Sequence, residues 1–292
     1  MKQISHQLVR FFEKEIGYNT NKIENENLTL KAYKNYYYSS PIPDVLDRTI
    51  LETLNIDELY RFFNKIEIQN YKTIITQDFV NFDFDQIQVT KDFSIQINKK
   101  LLNNLTIYPF NQYFTKAFAQ YLDKQDQTFK THNVLGELRK SDLWKEIDGE
   151  LIKFYGYQNL EHQVDEIFQN LNKDLQDAKR DEEKYQAINL FHLNFELLHP
   201  FAEGNGRTGR ILVDILCLQN NLFPLNFSGA NNDEGYFSNI KNILFVKQQK
   251  QDFALFKTEP LAWKDYRKKV YQETLSLLKN KYNITSVMQM FS

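Results

Sequence analysis

Two apolar helical runs, separated by twelve residues unsuited to continuing either helix, set the frame for this chain. Upstream, Ile188, Phe191, Phe195 and Leu198 recur at helical spacing, and Ala187, Leu190 and Leu197 widen the stripe until the helix reads as largely buried. His199 closes it, because Pro200 lacks an amide hydrogen and disfavours the helical region for the residue before it. Downstream, Ile211, Leu212, Ile215, Leu216 and Leu218 form a second stripe that ends near Asn220 and Asn221. The predicted order is helix, glycine-rich loop, helix.

The loop, His199 to Arg210, reads HPFAEGNGRTGR. This is poor core material and good phosphate-handling material. Glycine lets successive amides close on an anion, a helix N-terminus adds partial positive charge, and arginine adds forked donors. His199 at the rim has the side chain best suited to accept a hydroxyl proton near neutral pH. Glu203 offers a hard oxygen ligand for a magnesium ion that also holds nucleotide phosphates. Gly204, Asn205 and Gly206 read as a nest of amides for a phosphate. Arg207 and Arg210, three apart, share a helix face and can both reach toward a polyphosphate tail. Phe201 is expected to point inward and anchor the loop.

These twelve residues resemble the signature of the Fic (filamentation induced by cAMP) family, H-x-F-x-[DE]-G-N-G-R-x-x-R, at every specified position. The resemblance implies an all-α fold, a Fic helical core with a small β-hairpin flap. It also implies transfer of AMP from ATP to a Ser, Thr or Tyr hydroxyl of a target protein, with pyrophosphate leaving. Carried over position by position, His199 would be the base and Glu203 would hold Mg2+. Asn205 and the amides of Gly204 and Gly206 would cradle the α-phosphate, and Arg207 and Arg210 would bind the outer phosphates.

Two further segments resemble family elements. Thr20 to Asn25, TNKIEN, followed by Leu28-Thr29-Leu30, is similar to the inhibitory motif [ST]-x-x-x-E-[GN]. By that resemblance Glu24 would pair with Arg210 and obstruct the γ-phosphate site, misplacing the α-phosphate for attack. A one-ångström misplacement can cost about a hundredfold in rate. Leu143 to Tyr155 reads as two short strands around Asp148-Gly149, a strong hairpin signal. In the family such a flap holds the target segment as an added strand, and Gly136-Glu137-Leu138-Arg139 resembles its lead-in.

The remaining sequence bounds the class. The 292 residues are 42% hydrophobic with a formal net charge of −2, which suits a globular protein and gives no basic surface for general nucleic-acid binding. Cys217 alone has no disulfide partner within the chain, fitting a reducing compartment. Met1 to Arg10 lacks the apolar run of a secretory signal and no stretch is long enough to cross a bilayer. The expectation is a cytoplasmic protein without membrane contact, signal-less translocation and homodimerisation being open. No histidine besides His199 sits in a ligand pattern; His192 reads as a helix-packing or surface residue and Tyr236 as core.

The punctuation divides the chain into an N-terminal helical segment with the inhibitory motif (1–40) and a helical or irregular extension (41–100). A catalytic core (101–228) and a helical C-terminal region (229–292) follow. Residues 44–68 read helical, 69–100 as short strands or irregular loop, and Trp263 to Lys279 as a well-patterned helix. Three alternatives accompany the main reading: removal of AMP with Glu24 positioning water, transfer from another nucleotide, and a nucleotide-sensing binding module with vestigial chemistry. Intact His199 and Glu203 argue against the last, because a sensor needs neither base nor metal ligand.

Overall fold

The computed structural model describes residues 3–24, 28–40, 56–103, 136–147, 150–228, 235–250, 252 and 254–291. Asn25 of the inhibitory motif and the Asp148-Gly149 turn lie outside the described residues. Helix α1 (His6–Phe11) starts where the Ser5 hydroxyl accepts from the Leu8 amide at 3.4 Å, then runs through a π-helical turn (Phe12–Ile16) into α2 (Gly17–Glu24). Thr29 caps α3 (Leu30–Tyr37) by accepting from the Ala32 amide at 3.1 Å. Helix α4 (Ile56–Thr73) continues into a second π-helical turn (Ile74–Phe79), and Thr90 caps α5 (Lys91–Leu101). Of 69–100, expected as short strands or irregular loop, 82–90 is irregular while 69–81 and 91–101 are helical, because Ile74, Ile75, Phe79 and Ile97 serve core packing that a local strand propensity does not anticipate.

Strands β1 (Trp144–Ile147) and β2 (Glu150–Lys153) pair antiparallel with Ile147 opposite Glu150, shorter by two residues at the far end than the expected 143–155 span. Helices α6 (Leu160–Asp177), α7 (Asp181–Leu198) and α8 (Asn205–Gln219) form the centre. α7 buries residues on all sides from Tyr185 to Leu198, as its broad apolar face predicts. Phe195, Leu198 and Phe201 are fully buried in the same core cluster as Leu212 and Ile215 of α8. Burying a phenylalanine such as Phe201 is worth about 2–3 kcal/mol, which anchors the loop between the helices as expected. Helices α9 (Tyr236–Gln249) and α10 (Leu261–Tyr282) complete the body.

The N-terminal helices lie across this body. Leu8, Phe11, Phe12 and Ile16 enter the main core, and Phe11 packs edge-on to Tyr282 of α10. Leu28, Tyr33, Tyr37 and Ile68 form a second, smaller apolar cluster between α3 and α4. The Tyr33 hydroxyl donates to the Glu13 carbonyl at 2.7 Å, and the Tyr37 hydroxyl to the Glu13 carboxylate at 3.0 Å. These bonds hold α3 to the helix that ends at Glu24. Among the described residues no helix is long and apolar enough to cross a membrane.

Candidate functional site

The site begins where α7 stops. His199 adopts a left-handed backbone (φ 47°, ψ 64°), a conformation uncommon outside glycine, and this turn swings its ring out of the helix line. Arg139 enforces the turn. Its guanidinium is buried and donates to the carbonyls of His199 (2.8 Å), Ser141 (2.7 Å), Leu198 (3.0 Å) and Tyr155. Burial lowers its pKa to about 10, so it stays charged at neutral pH. The lead-in segment also pairs its backbone with the loop: Leu138 bridges Phe201, and the Arg139 amide donates to the Pro200 carbonyl at 2.9 Å.

The His199 ring is oriented from two sides. Its Nδ1 lies 2.9 Å from the Glu196 carbonyl oxygen. A carbonyl only accepts, so Nδ1 carries the proton and the lone pair resides on Nε2. Phe154, one residue beyond β2, stacks on the ring with centroids 3.9 Å apart and planes 21° from parallel. The imidazole is 18% exposed, and the Glu196 carboxylate lies 3.9 Å from Nδ1, where it would stabilise an imidazolium.

The loop itself is braced from behind. The Asn205 side chain accepts from the Phe201 amide (2.8 Å) and donates to the Phe201 carbonyl (2.7 Å). Each of its polar atoms thus makes one bond that shapes the loop, and an amide nitrogen carries a second hydrogen. Gly204 sits at φ +76°, just before α8 begins, and an added Cβ would stand 3.1 Å from Asn98 Nδ2. That amide nitrogen, wholly buried on α5, donates to the Glu203 carbonyl and the Thr208 hydroxyl, each at 3.0 Å. Glu203 is thus held by its backbone while its carboxylate, 37% exposed, accepts from the Gly204 amide at 2.9 Å. Desolvation raises the Glu203 pKa, with Arg207 acting in the opposite direction.

Both signature arginines are buried and both are occupied by carboxylates. Arg210 donates through Nη2 to Glu24 Oε1 at 2.5 Å and to the Thr20 carbonyl at 3.1 Å, and through Nε to the Thr20 hydroxyl at 2.7 Å. Burial works against its charge, and Glu24 together with Tyr236 and Glu196 more than restores it. The Glu24 carboxylate rests directly over the start of α8: a Cβ on Gly206 would meet Glu24 Oε1 at 2.4 Å and Arg210 Nη1 at 2.9 Å. Arg207 forks onto Glu67 of α4, with Nη2 to Oε1 at 2.7 Å and Nη1 to Oε2, and lies 3.6 Å from Glu203. The residues expected to meet a triphosphate therefore converge, with protein carboxylates on both guanidinium groups.

Behind Arg210, Tyr236 presents its ring 4.9 Å from the guanidinium carbon and shares a 2.8 Å hydrogen bond with His192 Nε2. His192 is fully buried, not a surface residue, and burial together with Arg210 pushes its pKa down to about 3. Tyr236 is buried as its core reading expects, whereas sequence reasoning passed over Glu67, Asn98 and Phe154. Only the GELR lead-in hinted at Arg139. Among the described residues no cluster of three His, Cys, Asp or Glu side chains could hold a metal ion alone. A magnesium ion here would rely on Glu203 and ligand phosphates, the usual division for that cation.

Residues 113–217 match the Fic/DOC family. The chain is 42% identical over 52 residues to a probable protein adenylyltransferase of Aquifex aeolicus, and 31% identical over 139 residues to the phosphocholine transferase AnkX of Legionella pneumophila. These alignments cover 18% and 44% of this chain, and the chain spans only 15% and 14% of the two relatives. Among solved structures, a Fic domain containing signaling protein from Bacteroides thetaiotaomicron superposes with a TM-score of 0.62 at 16% identity, covering 97% of this chain and 93% of that one. Fic-1 from C. elegans superposes with a TM-score of 0.52 at 14% identity, covering 92% and 64%. These likenesses establish the fold.

Proposed function

From a chain that carries a Fic domain, we propose that this protein transfers AMP from ATP to a hydroxyl of a protein target and is held inactive by Glu24. The observation that supports the reading most is a carboxylate lodged at an anion site. Glu24 sits on Arg210 and above Gly206, at the N-terminus of α8, where helix dipole and amides favour a phosphate.

The chemistry follows from the neighbouring groups. A hydroxyl oxygen attacks the α-phosphorus in line as the bond to the β-phosphate oxygen breaks, and pyrophosphate leaves with that electron pair. His199 Nε2 takes the hydroxyl proton, with Nδ1–H held on the Glu196 carbonyl. Amides at the start of α8 stabilise charge on the α-phosphate, and Arg210 and Arg207 address the outer phosphates. Glu203 would hold a magnesium ion, which when bound would supply charge neutralisation for the leaving pyrophosphate. Phe154 couples the end of β2 to the His199 ring, so a target strand added along the hairpin would bring its hydroxyl beside Nε2. A second copy of this chain is one candidate target, by self-modification.

The test is self-labelling of Glu24→Gly with each of ATP, GTP, UTP and CTP carrying label at either the α- or the γ-phosphate. AMP transfer requires label from α-labelled ATP and none from γ-labelled ATP. Label from the γ position would mean phosphoryl transfer. Label absent from every nucleotide, with transfer instead from a phosphocholine-bearing donor, would move the reading toward the activity named for the Legionella relative.

A further inference from the structure

The autoinhibitory contact at Arg210 has a counterpart at Arg207. We infer that Glu67 is a second carboxylate competing with the donor's outer phosphates, so that release of Glu24 alone opens half of the anion site. The inference rests on the reading that nucleotide phosphates occupy the start of α8.

Its basis is geometric. Glu67 grips Arg207 through both η nitrogens, with the arginine side chain 4% and the glutamate 14% exposed. A bidentate fork of this kind uses the same planar donor face that a phosphate would use. Glu203 stands 3.6 Å away on the same guanidinium. Two arginines therefore face three carboxylates, Glu24, Glu67 and Glu203, in the resting site. The inhibited site is net negative, and removing Glu24 leaves it no better than neutral before a cation joins Glu203. A neutral site draws a triphosphate less strongly than one in which Arg207 is also released from Glu67. Two buried donors, Arg207 Nε and Arg210 Nη1, have no hydrogen-bond acceptor among the described residues. Of these, Arg210 Nη1 lies at Gly206, where a Cβ would stand 2.9 Å from it, at the start of α8.

Both carboxylates also come from one N-terminal layer. Glu24 ends α2 and Glu67 lies on α4. Tyr37 of α3 ties the two: its hydroxyl donates to Glu13, and its carbonyl accepts from Lys72 Nζ at 2.9 Å. Ile68 packs with Leu28, Tyr33 and Tyr37 in the apolar cluster that joins α3 to α4. One layer thus covers two adjacent arginines of the catalytic helix with two side chains. The pair Glu67–Arg207 spans 140 positions in sequence, so no local motif announces it.

The experiment is a double-mutant cycle on the full chain. Calorimetric ATP binding with magnesium is measured for Glu24→Gly and Glu24→Gly/Glu67→Gln, each with and without Arg207→Ala. Thermal melts verify folding, and Glu67→Asp, which retracts the carboxylate by one methylene, replaces Glu67→Gln if the latter does not fold. Freeing a buried guanidinium for charge-assisted phosphate bonds should tighten ATP binding about tenfold in the Glu24→Gly background, about threefold for the aspartate. It should do nothing once Arg207 is gone. Equal or weaker binding on changing Glu67 would overturn the inference and make Glu67 an orienting partner of Arg207. Tightening that persists in the Arg207→Ala background would overturn it as well. Failure of Glu24→Gly itself to bind any ATP would sink the nucleotide reading beneath it, a result distinct from the other two.

Discussion

Removing the Glu24 carboxylate should raise affinity for ATP with magnesium by about 10- to 100-fold. The contact to be lost is a charge-assisted hydrogen bond of 2.5 Å between Glu24 and Arg210. Such bonds contribute about 1.5–3 kcal/mol. Because the glutamate side chain is 29% exposed while the arginine is 3% exposed, solvent screening on the carboxylate side favours the lower half of that range. At about 1.4 kcal/mol per factor of ten, this gives about 10- to 40-fold, and relief of the obstruction over Gly206 carries the gain toward about 100-fold. Little is lost to reordering, because Arg210 stays aimed by the Thr20 hydroxyl, the Thr20 carbonyl and the Tyr236 ring. Titration calorimetry on the wild type, Glu24→Gln and Glu24→Gly measures the effect. The glutamine form should fall between the other two, since it keeps an acceptor and drops the charge. Equal affinity for all three forms, within about twofold, would refute the competition between carboxylate and phosphate.

Other consequences follow from buried groups around the site. Arg139→Gln removes donors from four carbonyls that shape the His199 turn, and should cost about 3–5 kcal/mol in denaturant unfolding while lowering labelling in the Glu24→Gly background; unchanged stability would show that the carbonyls find water instead. Asp214 is buried at the middle of α8 with Oδ1 unpartnered, and desolvation raises its pKa well above the usual range, Arg210 opposing. A carboxyl raised in the folded state takes up a proton on folding above its unfolded pKa of about 4, so it penalises stability increasingly as pH climbs from there. Asp214→Asn should therefore match wild type near pH 4 and exceed it at pH 7 by chemical denaturation. A pH-independent difference would mean that the carboxyl is ionised in the native state.

The parts of this molecule that were legible in sequence are those where local pattern and chemistry coincide. Apolar spacing from Ala187 to Leu198 and from Ile211 to Leu218 announced α7 and α8, and His199-Pro200 announced the break between them. The Glu24–Arg210 pair followed from two short motifs 186 positions apart. Within 69–100 the irregular reading fits 82–90, and the pattern misled only on either side, because β-branched and aromatic residues such as Ile74, Ile75 and Phe79 serve a π-helical turn whose period differs from both templates. That Asn205 also braces the loop through the Phe201 backbone is a contact its place in the signature does not announce. Glu67, Asn98 and Phe154 act through contacts with residues far along the chain, and such pairings are properties of the packed state. The location of the site was readable, whereas much of its bracing was not.

The central claim is that His199 activates a hydroxyl for attack on a nucleotide held at the start of α8, and one paired measurement addresses it. Incorporation of α-labelled ATP and equilibrium ATP binding are followed side by side in Glu24→Gly and Glu24→Gly/His199→Ala. The account predicts that labelling falls by about 10²- to 10⁴-fold while affinity stays within about threefold, because Nε2 is needed only as the hydroxyl attacks. Labelling that survives the loss of the imidazole, with affinity unchanged, would contradict it.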